Sequence, residues 1–268
     1  MKRVLSVQDL SCLGKCSLTV ALPVLSAMGC ACTVLPTAVL STHTAFPAPH
    51  CRSLTEDMLP TAQHWKSVGA AFDGISVGYL ADPQQAEAVE QILRLFNAAI
   101  VVDPVMGDHG KLYSRLTPSH VQAMAQLCRR GDYLLPNVTE AALLTGLPYR
   151  EQPDEGYLRE LTAGMLAFGA KAVVITGFLW DSETTGFAGA HRETGVFSYR
   201  AHRIPKSFHG TGDLFSAVFT GSLIRGKTVH DSASLAAGFV ERVAAATEVE
   251  SPFGVEFEPQ LPWLWEQL

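Results

Sequence analysis

The sequence has no stretch of about 18 uninterrupted apolar residues, the length a membrane-spanning helix requires. It has no excess of positive charge. Lys and Arg number 20 against 26 Asp and Glu, for a net charge of −6. That balance supplies no basic field for a nucleic-acid backbone or an anionic membrane, so neither is expected as a partner, although a local patch can still hold phosphate. Cysteine is sparse and unpatterned: Cys12, Cys16, Cys30, Cys32, Cys51 and Cys128 form no CxxC pair. The opening MKRVLSVQDL lacks the apolar core and cleavage site of a secretory signal. Reduced thiols in a cytoplasmic protein are therefore expected instead of a disulfide framework. A zinc site from Cys12, Cys16 and a histidine is the weaker reading.

Two phosphate motifs are also missing. Gly14-Lys15 is not a P-loop, because Asp9 stands five residues before Gly14 and Cys16 replaces the required Ser or Thr. Gly210 and Gly212 do not open a GxGxxG fingerprint, because Phe215 occupies the third glycine position. A nicotinamide-dependent dehydrogenase loses its main support.

What is present is core material and alternation. Apolar residues make up 47% of the 268 and charged residues 17%, enough to bury a large core. Short β-like runs at Val4–Val7, Cys30–Leu35, Gly74–Leu80, Ala99–Val102, Tyr133–Leu135 and Ala172–Thr176 alternate with helical patterns. The helices are expected over Gly14–Met28, Leu54–Val68, a segment opened by Asp82-Pro83, Pro118–Cys128, Thr139–Leu144, Leu158–Phe168, Asp213–Ile224 and Val229–Thr247. Thr185–Ala190 and Val196–His202 read as a hairpin. The alternation predicts βαβ crossovers and a three-layer α/β/α fold with a mainly parallel sheet. No linker splits the chain, so one domain over 1–268 is expected.

In open α/β sheets ligands sit beyond the carboxyl ends of the strands. The polar residues there are Gln8 and Asp9, the Ser41–Thr44 run, Gly78-Tyr79, Asp103–Asp108, Pro136–Glu140 and Thr176-Gly177. The strongest local signal is His209-Gly-Thr-Gly-Asp213 directly before an apolar helix. Glycines around Thr211 allow close backbone approach, and the helix aims free N–H groups at that point. That is an anion cradle of the kind that binds phosphate. Asp213 reads equally well as an N-cap and as a base taking a proton from a hydroxyl. Asp103 and Glu140, two carboxylates near the cradle, suggest Mg²⁺, although Glu140 alone reads better as a helix cap. His43 and His209 lie beside these loops and are as readily structural as ligand-binding.

Asp103-Pro-Val-Met-Gly-Asp108, Asn137-Val-Thr-Glu140 and Gly210-Thr-Gly-Asp213 stand in the order and spacing of the ribokinase-like superfamily. Within it, from Val4 to about Thr247, the chain resembles the pyridoxal/pyridoxamine (vitamin B6) kinases. Gln8-Asp-Leu-Ser-Cys-Leu-Gly-Lys-Cys-Ser17 is similar to the bacterial pyridoxamine kinase branch. The resemblance implies ATP-dependent phosphorylation of the 5′-hydroxymethyl group of pyridoxal, pyridoxine or pyridoxamine, with Mg²⁺, K⁺ as the candidate monovalent cation, and a homodimer. It implies Asp213 as catalytic base and the N–H groups of Gly210, Thr211 and Gly212 as an anion hole. It places Asp103, Asn137, Glu140 and Thr176 on the nucleotide side, with Asp103 and Glu140 organising the metal. Asp9, His43, Thr44 and Tyr79 fall on the vitamin side. Asp9 departs from the Ser of well-known pyridoxal kinases, which bears on the preferred vitamer and not on the reaction. The rivals are a hydroxymethylpyrimidine kinase, which tends to carry Gly-Gly-Ala-Gly in its first loop and Cys for Asp213, and a non-catalytic B6-binding protein.

Overall fold

The structure, a computed structural model, describes residues 1–206, 208–249 and 251–267. The first half comprises β1 (Lys2–Leu13), α1 (Leu18–Ala27), β2 (Cys30–Thr42), β3 (Cys51–Ser53), α2 (Thr55–Ser67), β4 (Gly74–Val77), α3 (Gln85–Leu95), β5 (Ala99–Val102), β6 (Gly107–Asp108) and β7 (Lys111–Leu112). There follow α4 (Pro118–Cys128), β8 (Tyr133–Leu134), α5 (Val138–Thr145), α6 (Glu155–Leu166), β9 (Ala172–Ile175), β10 (Thr184–His191) and β11 (Gly195–His202). Helices α7 (Thr211–Ile224), α8 (Val229–Ala246) and α9 (Leu261–Glu266) complete the order, with a 3₁₀ turn at Glu258–Gln260 before α9.

One nine-stranded sheet runs β11-β10-β9-β8-β5-β4-β1-β2-β3. The strands from β9 to β2 pair in parallel, while β10, β11 and β3 add antiparallel edges. Parallel strands buried on both faces need apolar residues at alternate positions on each side. Leu5, Val7, Ile75, Val77, Val173 and Ile175 pack against α2 to α6. Val4, Val101, Ala172 and Val174 face α1, α7 and α8. Gly74 permits α7 to lie close, since a β-carbon there would sit 2.5 Å from Ile224 Cδ1. Among the described residues no helix is long and apolar enough to cross a membrane.

The expected α/β layering is present, with several changes at the boundaries. Strands β1 and β2 run well past Val7 and Leu35, because they pair with each other over almost their whole length. Gln8, Asp9, Ser41 and Thr42 therefore lie inside strands and not in loops after them. The pairing slips between Gln8 and Leu10, a bulge at the level of Asp9. The Asp82-Pro83 pair does not open α3 directly. Asp82 Oδ1 accepts from Gln85 N at 3.2 Å and caps the turn before the helix. Helix α9 follows the expected last helix, placing Trp263 against Phe239 with ring centroids 6.0 Å apart. Lys15 is not a solvated helix residue; it precedes α1 and pairs with Glu258 at 2.7 Å.

Candidate active site

A cavity of about 490 Å³ lies over the carboxyl ends of β5, β8 and β9, which bring Asp103, Asn137 and Thr176 to its wall. The start of α7 closes one side through Gly210, Thr211, Gly212 and Asp213. Gly210 is the N-cap of α7 with φ 85°, a left-handed conformation that costs glycine nothing. A β-carbon there would also collide with the Lys15 carbonyl oxygen. The first turn is closed by Leu214 N donating to Gly210 O at 3.0 Å. The N–H groups ahead of it have no partner within the helix, and the helix dipole adds positive potential at the same point. Asp213 is not the N-cap: that position belongs to Gly210, and Asp213 stands inside the first turn against the cavity.

The carboxylates gather in low dielectric. Burial pushes Asp213 up to about 7 from 3.8, with the charge of Asp9 adding to the rise and a hydrogen bond from the Ser17 backbone opposing it. Asp103 is raised well above its ordinary value by burial first, then by the charges of Glu140 and Asp213, against a hydrogen bond from Ser216. Glu140, fully enclosed, is raised by burial despite its backbone donors. Such mutual repulsion between oxygen ligands is what a hard divalent cation relieves. Among the described residues no group of three or more His, Cys, Asp or Glu is arranged to hold a metal by side chains alone. The Cys12–Cys16 zinc reading has no support there: Cys12 is exposed and Cys16 buried.

Glu140 and Asn137 form a reciprocal cap on α5. Asn137 Oδ1 accepts from Glu140 N at 2.9 Å, and Glu140 Oε2 accepts from Asn137 N at 2.9 Å. Glu140 Oε1 accepts from Met106 N at 2.9 Å, and Asn137 Nδ2 donates to Gly107 O at 2.8 Å. The motif thus ties the small β6–β7 hairpin to the cavity rim, and its side chains are already engaged. Thr176 bridges to Asn137 in the sheet and lines the same wall.

Asp9, His43, Thr44 and Tyr79 do not line this cavity. Asp9 is buried outside this cavity, where Ser11 Oγ donates to Oδ2 at 2.8 Å and Ser17 Oγ to Oδ1 at 2.5 Å. Burial raises its pKa and those donors lower it. The Tyr79 hydroxyl is buried with no hydrogen-bond partner among the described residues, and burial followed by the charge of Asp9 pushes it up to about 12. His43 Nε2 lies 2.7 Å from the Pro252 carbonyl oxygen, which can only accept, so the ring proton sits on Nε2. Its Nδ1 then accepts from Ala45 N at 3.4 Å. The rings of His43 and His209 are 4.5 Å apart. His209 lines the cavity, and burial lowers its pKa.

Other wall residues were not singled out in the sequence. Tyr113, His202, Lys206 and Glu241 reach the cavity from the β7 side, β11, the segment after it and α8. The pairing of the β10–β11 hairpin with β9 brings His202 and Lys206 there, the other two come from separate elements, and no local spacing signals the assembly.

The sequence profile described as Phosphomethylpyrimidine kinase matches residues 21–255. A pyridoxine/pyridoxal/pyridoxamine kinase from Bordetella bronchiseptica is 29% identical over 250 residues, covering 87% of this chain and 85% of its own. A structure of pyridoxal kinase from Lactobacillus plantarum superposes with a TM-score of 0.92 at 33% identity, covering 100% of this chain and 98% of its own. A Bacteroides thetaiotaomicron protein assigned to the phosphomethylpyrimidine kinases, crystallised with pyridoxal, gives 0.93 at 33% identity and covers 98% of this chain and 95% of its own.

Proposed function

The chain belongs to the phosphomethylpyrimidine kinase family, and from that premise we propose that it transfers the γ-phosphoryl group of ATP to the 5′-hydroxymethyl group of a B6 vitamer. The observation that carries the reading is the convergence of an N-terminal helix cradle, a carboxylate raised to about 7 beside it, and a second buried carboxylate behind that one. The names of the similar proteins reported above support the vitamer assignment over a pyrimidine acceptor. The whole of 1–268 is taken as one kinase domain.

Phosphoryl transfer asks for alignment and charge stabilisation, with little covalent work by the protein. The nucleotide occupies the cavity, its terminal phosphates against the N–H groups of Gly210, Thr211 and Gly212. Asn137 shapes that side through the rim and Thr176 through the strand end. The vitamer lies on the other side of Asp213, with Asp9 and Tyr79 facing its polar ring atoms and His43 and Thr44 at its edge. The acceptor oxygen attacks the γ-phosphorus, the bond to ADP breaks, and the hydroxyl proton passes to Asp213. With its pKa pushed up to about 7, Asp213 gains its charge as pH rises through neutrality and is still basic enough to take the proton.

Asp103, with Glu140 acting through water, would hold Mg²⁺, which supplies charge neutralisation on the phosphoryl oxygens. The oxygen-only donor set and the mutually raised carboxylates fit such a cation. A homodimer and K⁺ dependence are carried by the family resemblance, and a cytoplasmic location by the cysteine usage and the opening residues. The test is ATP consumption by purified protein with and without pyridoxal. Vitamer-dependent release of ADP and pyridoxal 5′-phosphate supports the reading, and ATP turnover indifferent to the vitamer overturns it.

A further inference from the structure

Ser17 sits at the N-cap of α1, where a serine hydroxyl normally accepts a backbone N–H of the first turn. It does not cap. Its backbone has φ 49° and ψ −127°, a corner that favours glycine and strains any other residue. Strain of this kind persists only where the surroundings over-determine it, and here they do. The buried hydroxyl donates to Asp9 Oδ1 at 2.5 Å. The carbonyl accepts from Val20 N at 3.0 Å and Ala21 N at 2.9 Å.

The chain leading into the corner is equally fixed. Lys15 N donates to Phe253 O at 2.7 Å. The Lys15 carbonyl abuts Gly210 and Gly254, neither of which leaves room for a β-carbon. The same loop therefore touches the start of α7, whose first turn carries Asp213, through Gly210, and the vitamin-side carboxylate through Ser17 Oγ.

We propose that Ser17 is a positioning residue for phosphoryl transfer, a strained corner that sets the carboxylate of Asp213 relative to that of Asp9. This deepens the kinase reading and rests on it. Asp9 receives the acceptor ring, Asp213 receives the acceptor proton, and Ser17 holds the distance between the two. The cost of the strained backbone is retained because an ordinary N-cap would turn the hydroxyl into the helix and release Asp9.

The experiment is steady-state kinetics on the full chain with pyridoxal and ATP, for wild type, Ser17→Ala, Ser17→Gly, Asp9→Asn and the Ser17→Ala/Asp9→Asn double variant. Misplacing a reacting group by a fraction of its contact distance costs tens of fold in rate. Both Ser17 variants are expected to lose at least about tenfold in kcat while KM for ATP stays within about twofold. Ser17→Gly relieves the strain and is expected to melt at or above Ser17→Ala, so the kcat loss is separated from stability and a soluble variant is retained. The Ser17→Ala and Asp9→Asn losses are expected to be non-additive in kcat, as for groups acting as one unit. Kcat within twofold of wild type in both Ser17 variants, or additive losses in the cycle, overturns the inference and leaves the kinase reading standing. Absence of turnover by the wild-type protein overturns both.

Discussion

Asn137 and Glu140 cap one another: each side chain accepts the other's backbone N–H at 2.9 Å. Glu140 spends its remaining oxygen on Met106 N. The Asn-Val-Thr-Glu motif is therefore first a splice between α5 and the β6–β7 rim, and only through that splice part of a nucleotide site.

Glu140→Ala leaves the N–H groups of Asn137 and Met106 without their acceptor in a buried position. An unsatisfied buried donor costs about 1–3 kcal/mol. The variant is expected to melt several degrees below wild type and to need more Mg²⁺ for half-maximal activity. Thermal melts together with a Mg²⁺ titration check this. An unchanged titration removes Glu140 from the metal site and leaves it as a cap.

Asp213→Asn removes the proposed proton acceptor while keeping side-chain volume. Loss of a general base lowers turnover by about 10²- to 10⁴-fold. The kcat of the variant is expected to fall in that range with nucleotide binding retained, as measured by ADP titration. Near-normal turnover would sink the base assignment.

The same residue makes a stability prediction whose sign is fixed. Burial lifts the folded-state pKa of Asp213 to about 7 from 3.8, so the folded protein holds this proton more tightly than the unfolded chain. The stability it contributes is fully present below the unfolded value and is lost as pH rises through about 7. Asp213→Asn does not titrate. Measured without divalent cation, its Tm is expected to exceed that of wild type at pH 8, with the advantage shrinking or reversing by pH 4. An advantage that grows toward acid pH contradicts the assignment of the shift to burial.

In the proposed reaction the ionised carboxylate is the base, so kcat for the wild type is expected to rise with pH to a plateau above about 7. A pH–rate profile with saturating substrates reads this limb. A limb near the ordinary carboxylate value would mean that bound substrates restore solvent-like conditions around Asp213.

Gly210→Ala places a β-carbon against the Lys15 carbonyl at a φ of 85°. Left-handed backbone at a non-glycine residue costs on the order of 1–3 kcal/mol before any collision is counted. Lower Tm and a raised KM for ATP are expected. Wild-type values for both would show that the cradle does not need this turn.

Much of this was legible before any coordinates. Strand periodicity and the Gly-Thr-Gly-Asp turn located the sheet, its carboxyl edge and the start of α7, because both signals are local. The extension of β1 to Leu13 was not legible, since Gln8 and Asp9 interrupt the apolar run after Val7 and pairing with β2 holds the rest extended. Ser17 escaped for a related reason. It fell inside the helix expected from Gly14, and both the later start of α1 and its bond to Asp9 depend on contacts across the fold. The wall built by Tyr113, His202, Lys206 and Glu241 is assembled from distant segments, so no spacing in the sequence reports it.

The most direct test of the central claim compares kcat/KM for pyridoxal, pyridoxine, pyridoxamine and hydroxymethylpyrimidine side by side, with ATP and Mg²⁺ and one preparation of protein. The account predicts that a B6 vitamer is preferred and that the product carries phosphate on its 5′ oxygen. Preference for the pyrimidine, or no turnover of any of them, would contradict it.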